Sequence, residues 1–460
     1  MDDFDLVVVG SGTGGYTAAI KAGQSGLKTA LIEKEKVGGV CLHRGCIPTK
    51  LLLESAEVLA LVARSRVFGI ETSDIRFDYS QLLRRQEQVV GTLHKNLRSV
   101  IQKQKVEIIE GWGRLLSPQQ IAVNGRTLTA KHVVIATGSR PRDLPGLPAD
   151  GDHIINSDHA LTLTELPQSV VIVGAGSVGL EFASFYLDMG SEVTLIEMLP
   201  NLAPQEDQDL GAAMAKVLAN RGARVMTSTQ VLPDRTRLYD DVAELTLERE
   251  GKEEAVRAQK VLVAIGRQGN VEEIGLENTR VQKEGSFIKV DGAMRTAEPN
   301  ICAVGDVAGE PLLAHVASAE GLLASQAIAG QEHEPLDHLR LPHVTYCRPQ
   351  IASVGLSEEA AKQEGHKVKV HRFSFRYNAM ALIKDEPEGF AKVVSDAESG
   401  DLLGVHIFGH NAVDLISEAA LAKWLDISTW EMAASIRPHP SLSEVVGEAA
   451  QLSAGISVYW

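Results

Sequence analysis

Cysteine is scarce in this chain, with four in 460 residues. So few exclude an extracellular disulfide framework. They point to a reducing compartment, where two neighbouring cysteines do chemistry more often than they staple a fold. Positive charge is also short: 45 Lys and Arg stand against 60 Asp and Glu, a net charge of −15. Nucleic-acid binding relies on a basic surface and is not expected; nor is an anionic membrane as partner. No uninterrupted apolar run approaches the roughly eighteen residues of a membrane span. The opening Met1-Asp2-Asp3-Phe4-Asp5 is acidic where a secretion signal is basic, so a cytoplasmic setting is expected. What remains is ordinary for a globular protein, 44% hydrophobic and 23% charged, with length for two to four domains.

Two of the four cysteines lie together. Cys41 and Cys46 stand five positions apart in Gly38-Gly39-Val40-Cys41-Leu42-His43-Arg44-Gly45-Cys46-Ile47-Pro48-Thr49-Lys50. Apolar residues then recur at helical spacing from 47 to about 66. Pro48 suits the first turn of that helix. Cys46 therefore falls at a helix N-terminus, where unpaired N–H groups and the helix dipole favour a thiolate. Three readings fit the pair: a redox-active disulfide, two buried structural thiols, or two metal ligands. A metal site usually takes four ligands, and Cys302 and Cys347 are distant in sequence and sit in apolar runs, as core residues do.

Glycine supplies the second signal. Residues 6–9 form an apolar, β-branched run suited to a buried parallel strand. Gly10-x-Gly12-x-x-Gly15 follows, then a helical stretch at 16–25 and a strand at 28–33 that ends on Glu33. The first two glycines let the backbone turn and approach a pyrophosphate, and the third lets helix and strand pack closely. Glu33 is placed to accept from a ribose. The same order recurs: a strand at 169–173, Gly174-x-Gly176-x-x-Gly179, a helix at 180–189, and a strand at 192–197 ending on Glu197. Gly15 to Glu33 and Gly179 to Glu197 both span eighteen positions, so two dinucleotide-binding units are expected. Met198, Leu199, Pro200 and Asn201 after Glu197 include no cation. A carboxylate there bonds a ribose 2′-hydroxyl and repels a 2′-phosphate, which favours NAD over NADP.

Between and beyond the loops, 77–105 has helical spacing with a solvated face, and 106–113 and 120–128 look like antiparallel strands. Strands ending in tight glycine turns fall at 132–138, 261–266 and 301–306. Pro141, Pro145, Gly146 and Pro148 stiffen a first boundary. A helical stretch covers 313–330 and a polar linker 331–341. Strands near 344–346, 351–354, 368–375, 390–395 and 403–408 precede helices near 413–425 and 428–436. The expected fold class is α/β, with two Rossmann-like dinucleotide-binding domains and a C-terminal α+β domain.

Together these motifs resemble the pyridine nucleotide–disulfide oxidoreductases, over almost the whole chain. The resemblance rests on the two glycine loops with Glu33 and Glu197, the 39–50 cysteine stretch, Ala136-Thr137-Gly138, Glu181, Ala264-Ile265-Gly266-Arg267, Gly305-Asp306, Leu313-Ala314-His315 and His439-Pro440-Ser441-Leu442-Ser443-Glu444. It implies an FAD-binding domain at 1–145, an NAD-binding domain at 146–265, a return to FAD-binding and central structure at 266–335, and a dimerisation domain at 336–460. By the same resemblance FAD would be held by Gly10, Gly12, Gly15, Glu33, Lys50, Gly113, Gly138, Asp306 and Ala314. NAD would be held by Gly174, Gly176, Gly179, Glu197, Val231 and Gly266. Cys41 would exchange with the substrate and Cys46 would face the flavin. Lys50 and Glu181 would pair near the isoalloxazine. His439 would be a general base oriented by Glu444, acting on the other subunit of a homodimer.

The implied activity is oxidation of protein-bound dihydrolipoyl groups with reduction of NAD. The implied partners are lipoyl domains and the acyltransferase core of 2-oxo acid dehydrogenase complexes, with the glycine cleavage H protein a further candidate. The alternative is a nicotinamide-dependent reductase of another low-molecular-weight disulfide. The chain departs from the family at His43-Arg44, where Asn-Val is frequent. It departs again at Arg437, where a second His is common, and at Gly269, Gln350 and Met380.

Overall fold

The computed structural model describes residues 2–332 and 334–458. Two compact units form. The first is Met1–Leu51, Ser80–Arg142 and Gly266–His338; the second is Leu52–Tyr79, Asp143–Ile265 and Leu339–Trp460.

The first unit is built on a seven-stranded sheet. Glu107–Glu110, Thr29–Glu33, Asp2–Val9, Arg126–Ile135 and Ile301–Ala303 run parallel in that order. Arg114–Ser117 and Gln120–Val123 add an antiparallel wing on Arg126–Ile135. Strand side chains alternate between faces. Val7 and Val9 pack with Ile32, Val133 and Ile301 on one face. Leu6 and Val8 pack with Leu31, Ala18, Ala22 and Leu323 on the other. Both faces are covered, which is why these strands read as unbroken apolar runs. Helices Thr13–Gln24 and Ala314–Ile328 meet closely: a Cβ on Gly321 would stand 2.2 Å from the Gly14 carbonyl oxygen.

The expected strand at 120–128 is corrected. Asn124 and Gly125 both take positive φ, +48° and +74°. That is the two-residue turn that joins twisted hairpin strands. The chain therefore reverses there, and the strand expected from 132 begins at Arg126.

The second unit carries a parallel sheet in the order Arg224–Met226, Glu192–Ile196, Ser169–Val173, Lys260–Val263, Ile154–Ile155. Beside it in sequence lies a three-stranded antiparallel sheet of Gln230–Leu238, Ala243–Arg249 and Lys252–Ala258. Its C-terminal part is a five-stranded antiparallel sheet in the order His343–Thr345, Gln350–Gly355, Leu402–Gly409, Gly389–Asp396, Val368–Ser374. Helices Ala412–Trp424 and Glu444–Ala454 bury Ile416, Val445, Val446 and Ala449 against Phe373, Val393 and Val405. Two Rossmann-like sheets and an α+β C-terminal domain are thus present, as the sequence leads one to expect. Helices Gln208–Asn220 and Glu444–Ala454 and the three-stranded sheet are additions.

Candidate functional site

The two glycine loops are built alike. Gly10 and Gly174 take φ of +102° and +103°. A Cβ on either would meet a backbone oxygen, Ala136 at 2.2 Å or Ala264 at 2.4 Å. The amides of Gly10 and Gly174 donate to Ile32 and Ile196, each at 2.8 Å. A Cβ on Gly15 would lie 2.0 Å from the Gly10 carbonyl oxygen, and one on Gly179 would lie 1.9 Å from that of Gly174. Gly12 and Gly176 cap helices Thr13–Gln24 and Ser177–Asp188, and neither has any atom within 4 Å of the place a Cβ would take. At each helix N-terminus the place a Cβ would fill is therefore open. That is the setting in which unpaired N–H groups receive a phosphate. The residues present fit two dinucleotides.

Glu33 and Glu197 close the loops in the same way. Glu33 accepts from the Ser11 amide at 2.9 Å, the Ser11 hydroxyl at 2.5 Å and the Glu35 amide at 2.9 Å. Glu197 accepts from the Ala175 amide at 2.8 Å and the Leu199 amide at 2.9 Å. An ionised carboxylate has about four acceptor positions, so each retains capacity for a ribose. Sequence reading missed Ser11. The signal lay in the repeat itself, because Ser11 and Ala175 occupy matching places.

Other expected contacts of the first loop are distributed as follows. A Cβ on Gly113 would stand 3.1 Å from Val9 and 3.3 Å from Ile32, so Gly113 lies over the strand ends. Gly138 turns at φ +69°. Ala314 opens its helix. Asp306 sits on the short helical turn Gly305–Ala308 and accepts from the Ser139 hydroxyl; the Arg267 Nε donates to that same hydroxyl at 2.6 Å. The Gly305 amide donates to buried Glu320 at 2.6 Å. Burial, opposed by the Gly305 amide and helped by nearby Asp306, raises the Glu320 carboxyl to about 7. Ser139 and Glu320 carry no motif of their own and were not foreseen.

Cys41 and Cys46 form a disulfide, with Cα atoms 4.6 Å apart. Cys41 lies on the short helix Gly39–Arg44 and Cys46 starts the helix Cys46–Ala63, with Pro48 in its first turn. The bridge is seated on the first glycine loop. The Gly38 amide donates to the Ser11 carbonyl at 3.0 Å and lies 3.2 Å from its hydroxyl. A Cβ on Gly39 would come 2.6 Å from the Gly12 Cα. Lys50 follows Cys46 by one helical turn and is half-buried. The other two cysteines are unbridged and buried; burial pushes the Cys302 thiol up to about 11 and that of Cys347 higher still. Neither supplies a thiolate near neutral pH.

The second unit holds the remaining residues. Glu181 is buried on helix Ser177–Asp188, and its carboxylate accepts from the Tyr346 amide at 3.0 Å. Val231 lies on strand Gln230–Leu238, opposite Leu247, with its side chain in the core beside Met226. Gly266 turns at φ +109°. His439 is largely exposed, and its Nδ1 lies 2.8 Å from Glu444 Oε1. Glu444 also accepts from the Ser441 amide at 2.8 Å and begins the helix Glu444–Ala454. A carboxylate only accepts, so in the neutral ring the proton belongs on Nδ1 and Nε2 presents its lone pair. Arg437 is embedded: it donates to Glu418 and to the carbonyls of Met432 and Ser435. The structure thus gives it an anchoring role.

A disulfide packed on a nucleotide loop, with a second such loop elsewhere in the chain, defines a class of flavin- and nicotinamide-linked disulfide oxidoreductases. The chain belongs to that family. Residues 4–321 match the family model "Pyridine nucleotide-disulphide oxidoreductase", and 341–450 match its dimerisation domain. Among curated relatives, a dihydrolipoyl dehydrogenase of Bacillus subtilis is 44% identical, with 100% of this chain and 99% of the relative covered. One from Zymomonas mobilis is 40% identical over the full length of both. Among solved structures, LpdA of Mycobacterium tuberculosis superposes with a TM-score of 0.90 at 26% identity, covering 98% of this chain and 99% of that one. A flavoprotein disulfide reductase of Escherichia coli, RclA, shares the fold with a TM-score of 0.86 at 23% identity, covering 97% and 99% of the two chains.

Proposed function

We propose that this chain is a dihydrolipoyl dehydrogenase: it oxidises protein-bound dihydrolipoyl groups through the Cys41–Cys46 bridge, with FAD and NAD as cofactors. The observation that carries the reading is the bridge itself, placed at a helix N-terminus and tied through Gly38 and Gly39 to the first glycine loop. Identity of 44% and 40% to proteins of that activity, over full length, supports it. FAD takes the first loop, with Glu33, Lys50, Gly113, Gly138, Asp306 and Ala314. NAD takes the second, with Glu197, Val231 and Gly266. Domains at 1–145 with 266–335, 146–265 and 336–460 follow this division.

The substrate half-reaction is thiol–disulfide exchange, in which thiolate is the nucleophile. His439 Nε2 removes a proton from the substrate dithiol, and Glu444 stabilises the resulting imidazolium. In the homodimer His439 comes from the second copy. The substrate sulfur bonds to Cys41, and the bond to Cys46 breaks. The second substrate sulfur then displaces Cys41 and closes the lipoyl disulfide. Cys41 and Cys46 are left reduced by two electrons, with Cys46 a thiolate held by its helix N-terminus. When bound, FAD and NAD supply the two-electron path that restores the bridge. Uncharged neighbours after Glu197 favour NAD.

The partners in this reading are lipoyl domains and the acyltransferase core of 2-oxo acid dehydrogenase complexes, in the cytoplasm. The test is substitution of either cysteine. Cys41→Ser and Cys46→Ser are each expected to abolish dihydrolipoamide turnover while flavin stays bound. Turnover retained in either variant removes the bridge from the reaction.

A further inference from the structure

The helix that carries Cys41 is only six residues long, Gly39–Arg44. So short a helix has little stability of its own. Its C-terminal end joins the next helix through Gly45, a soft joint. While the bridge is closed, a covalent bond holds the two helices together. Once it opens, another anchor is needed if Cys41 is to stay opposite Cys46.

One carbonyl supplies that anchor. Val37 is 1% exposed and lies just before Gly38, the N-cap of the Cys41 helix. Its oxygen meets His43 Nε2 at 2.9 Å and His94 Nδ1 at 2.9 Å. His43 lies two residues beyond Cys41 on the same helix; His94 lies on the long helix Tyr79–Lys103. A carbonyl oxygen has two lone pairs, so both rings donate to it together. The rings meet edge to face with centroids 5.2 Å apart. Burial is the main cause that lowers the His43 pKa; the Val37 hydrogen bond and Glu33 oppose it, and His94 and Lys36 add to it. His43 therefore acts as a neutral N–H donor. The neighbouring Arg44–Glu35 pair, at 2.6 Å, is exposed and contributes little.

We propose that His43 and His94, joined at the Val37 carbonyl, are positioning residues that hold the Cys41 helix in place while the bridge is open. This rests on the reading of Cys41–Cys46 as a bridge that cycles. It gives His43, one of the departures from the family sequence, a task of its own: keeping the opened thiols at high effective concentration.

The flavin-loaded protein is equilibrated without oxygen in mixtures of reduced and oxidised dithiothreitol. One dithiothreitol passes two electrons and two protons to the bridge and leaves as a cyclic disulfide. Iodoacetamide then traps free thiols, and mass spectrometry reads the alkylated fraction of Cys41 and Cys46. His43→Leu and His94→Leu are each expected to shift the equilibrium toward the dithiol by roughly fivefold, the worth of one hydrogen bond. His43→Gln keeps a donor at the Nε2 position and His94→Asn keeps one at Nδ1, so both stay within about twofold of the unaltered protein. Leu variants without a shift overturn the proposal, and so do amide variants that shift as far as Leu. An unaltered protein that takes no label at any ratio is a different result: it overturns the cycling reading, and the anchor with it.

Discussion

Gly179 offers the sharpest separation between the two nucleotide loops. Replacing it with Ala puts a Cβ 1.9 Å from the Gly174 carbonyl oxygen and 3.5 Å from Ile172. A carbon and an oxygen need about 3.2 Å, so helix Ser177–Asp188 must retreat from the loop by about 1 Å. Overpacking of that kind costs about 1–3 kcal/mol, and here it moves the N–H groups that would receive the NAD phosphates. NAD affinity is therefore expected to fall roughly 5- to 150-fold. The substrate half-reaction should fall far less, because the bridge and the first loop belong to the other unit and His439 and Glu444 lie on elements other than helix Ser177–Asp188. Two measurements check this: NAD binding by calorimetry, and bridge reduction by dihydrolipoamide in anaerobic stopped flow. The mirror variant, Gly15→Ala, puts its Cβ 2.0 Å from the Gly10 oxygen and is expected to lose FAD instead. NAD affinity within about twofold of normal in Gly179→Ala refutes the reasoning, and so does a matching fall in the substrate half-reaction.

Other outcomes follow from the same geometry. Glu444→Gln removes the carboxylate 2.8 Å from His439; bridge reduction is expected to slow roughly a hundredfold, on the scale of general-base losses, while NAD affinity holds. A change below about threefold by stopped flow counts against the pair. Cys302→Ser and Cys347→Ala should leave turnover within about twofold, since burial keeps both thiols protonated; a loss of turnover with the fold intact by circular dichroism contradicts this. Glu320, raised to about 7 by burial, binds a proton in the folded state that it lacks when unfolded between about pH 4.5 and 7. Stability should therefore fall as pH rises through that window, by on the order of 3 kcal/mol. Glu320→Gln should flatten the dependence in denaturant titrations at pH 5 and 8; an unchanged slope refutes the assignment.

What could be read in advance was what local chemistry enforces. Gly15 and Gly179 are demanded by carbonyl oxygens five residues back, and Gly10 and Gly174 by the positive φ of the turn itself, so their spacing announced both loops and the registers of Glu33 and Glu197. Cys46 at a helix start followed from Pro48 and the apolar spacing after it. Contacts made by chain closure left no such mark. Ser139 reaches Asp306 across 167 positions, and Glu320 meets Gly305 only because helix Ala314–Ile328 folds back. The Asn124-Gly125 turn is a hairpin signal in the sequence, but apolar residues on both sides give the look of one strand. Val231 is implied by family resemblance alone, and no side-chain property marks it: its isopropyl group is core.

The central claim is that two electrons enter through the sulfur bridge at 41 and 46. Dihydrolipoamide is added without oxygen, the thiols are trapped with iodoacetamide, and the labelled positions are read by mass spectrometry before and after NAD is supplied. The account predicts label at Cys41 and Cys46 alone, and none there when NAD is supplied before the trap. A bridge that stays closed under dihydrolipoamide, or label confined to Cys302 and Cys347, contradicts it.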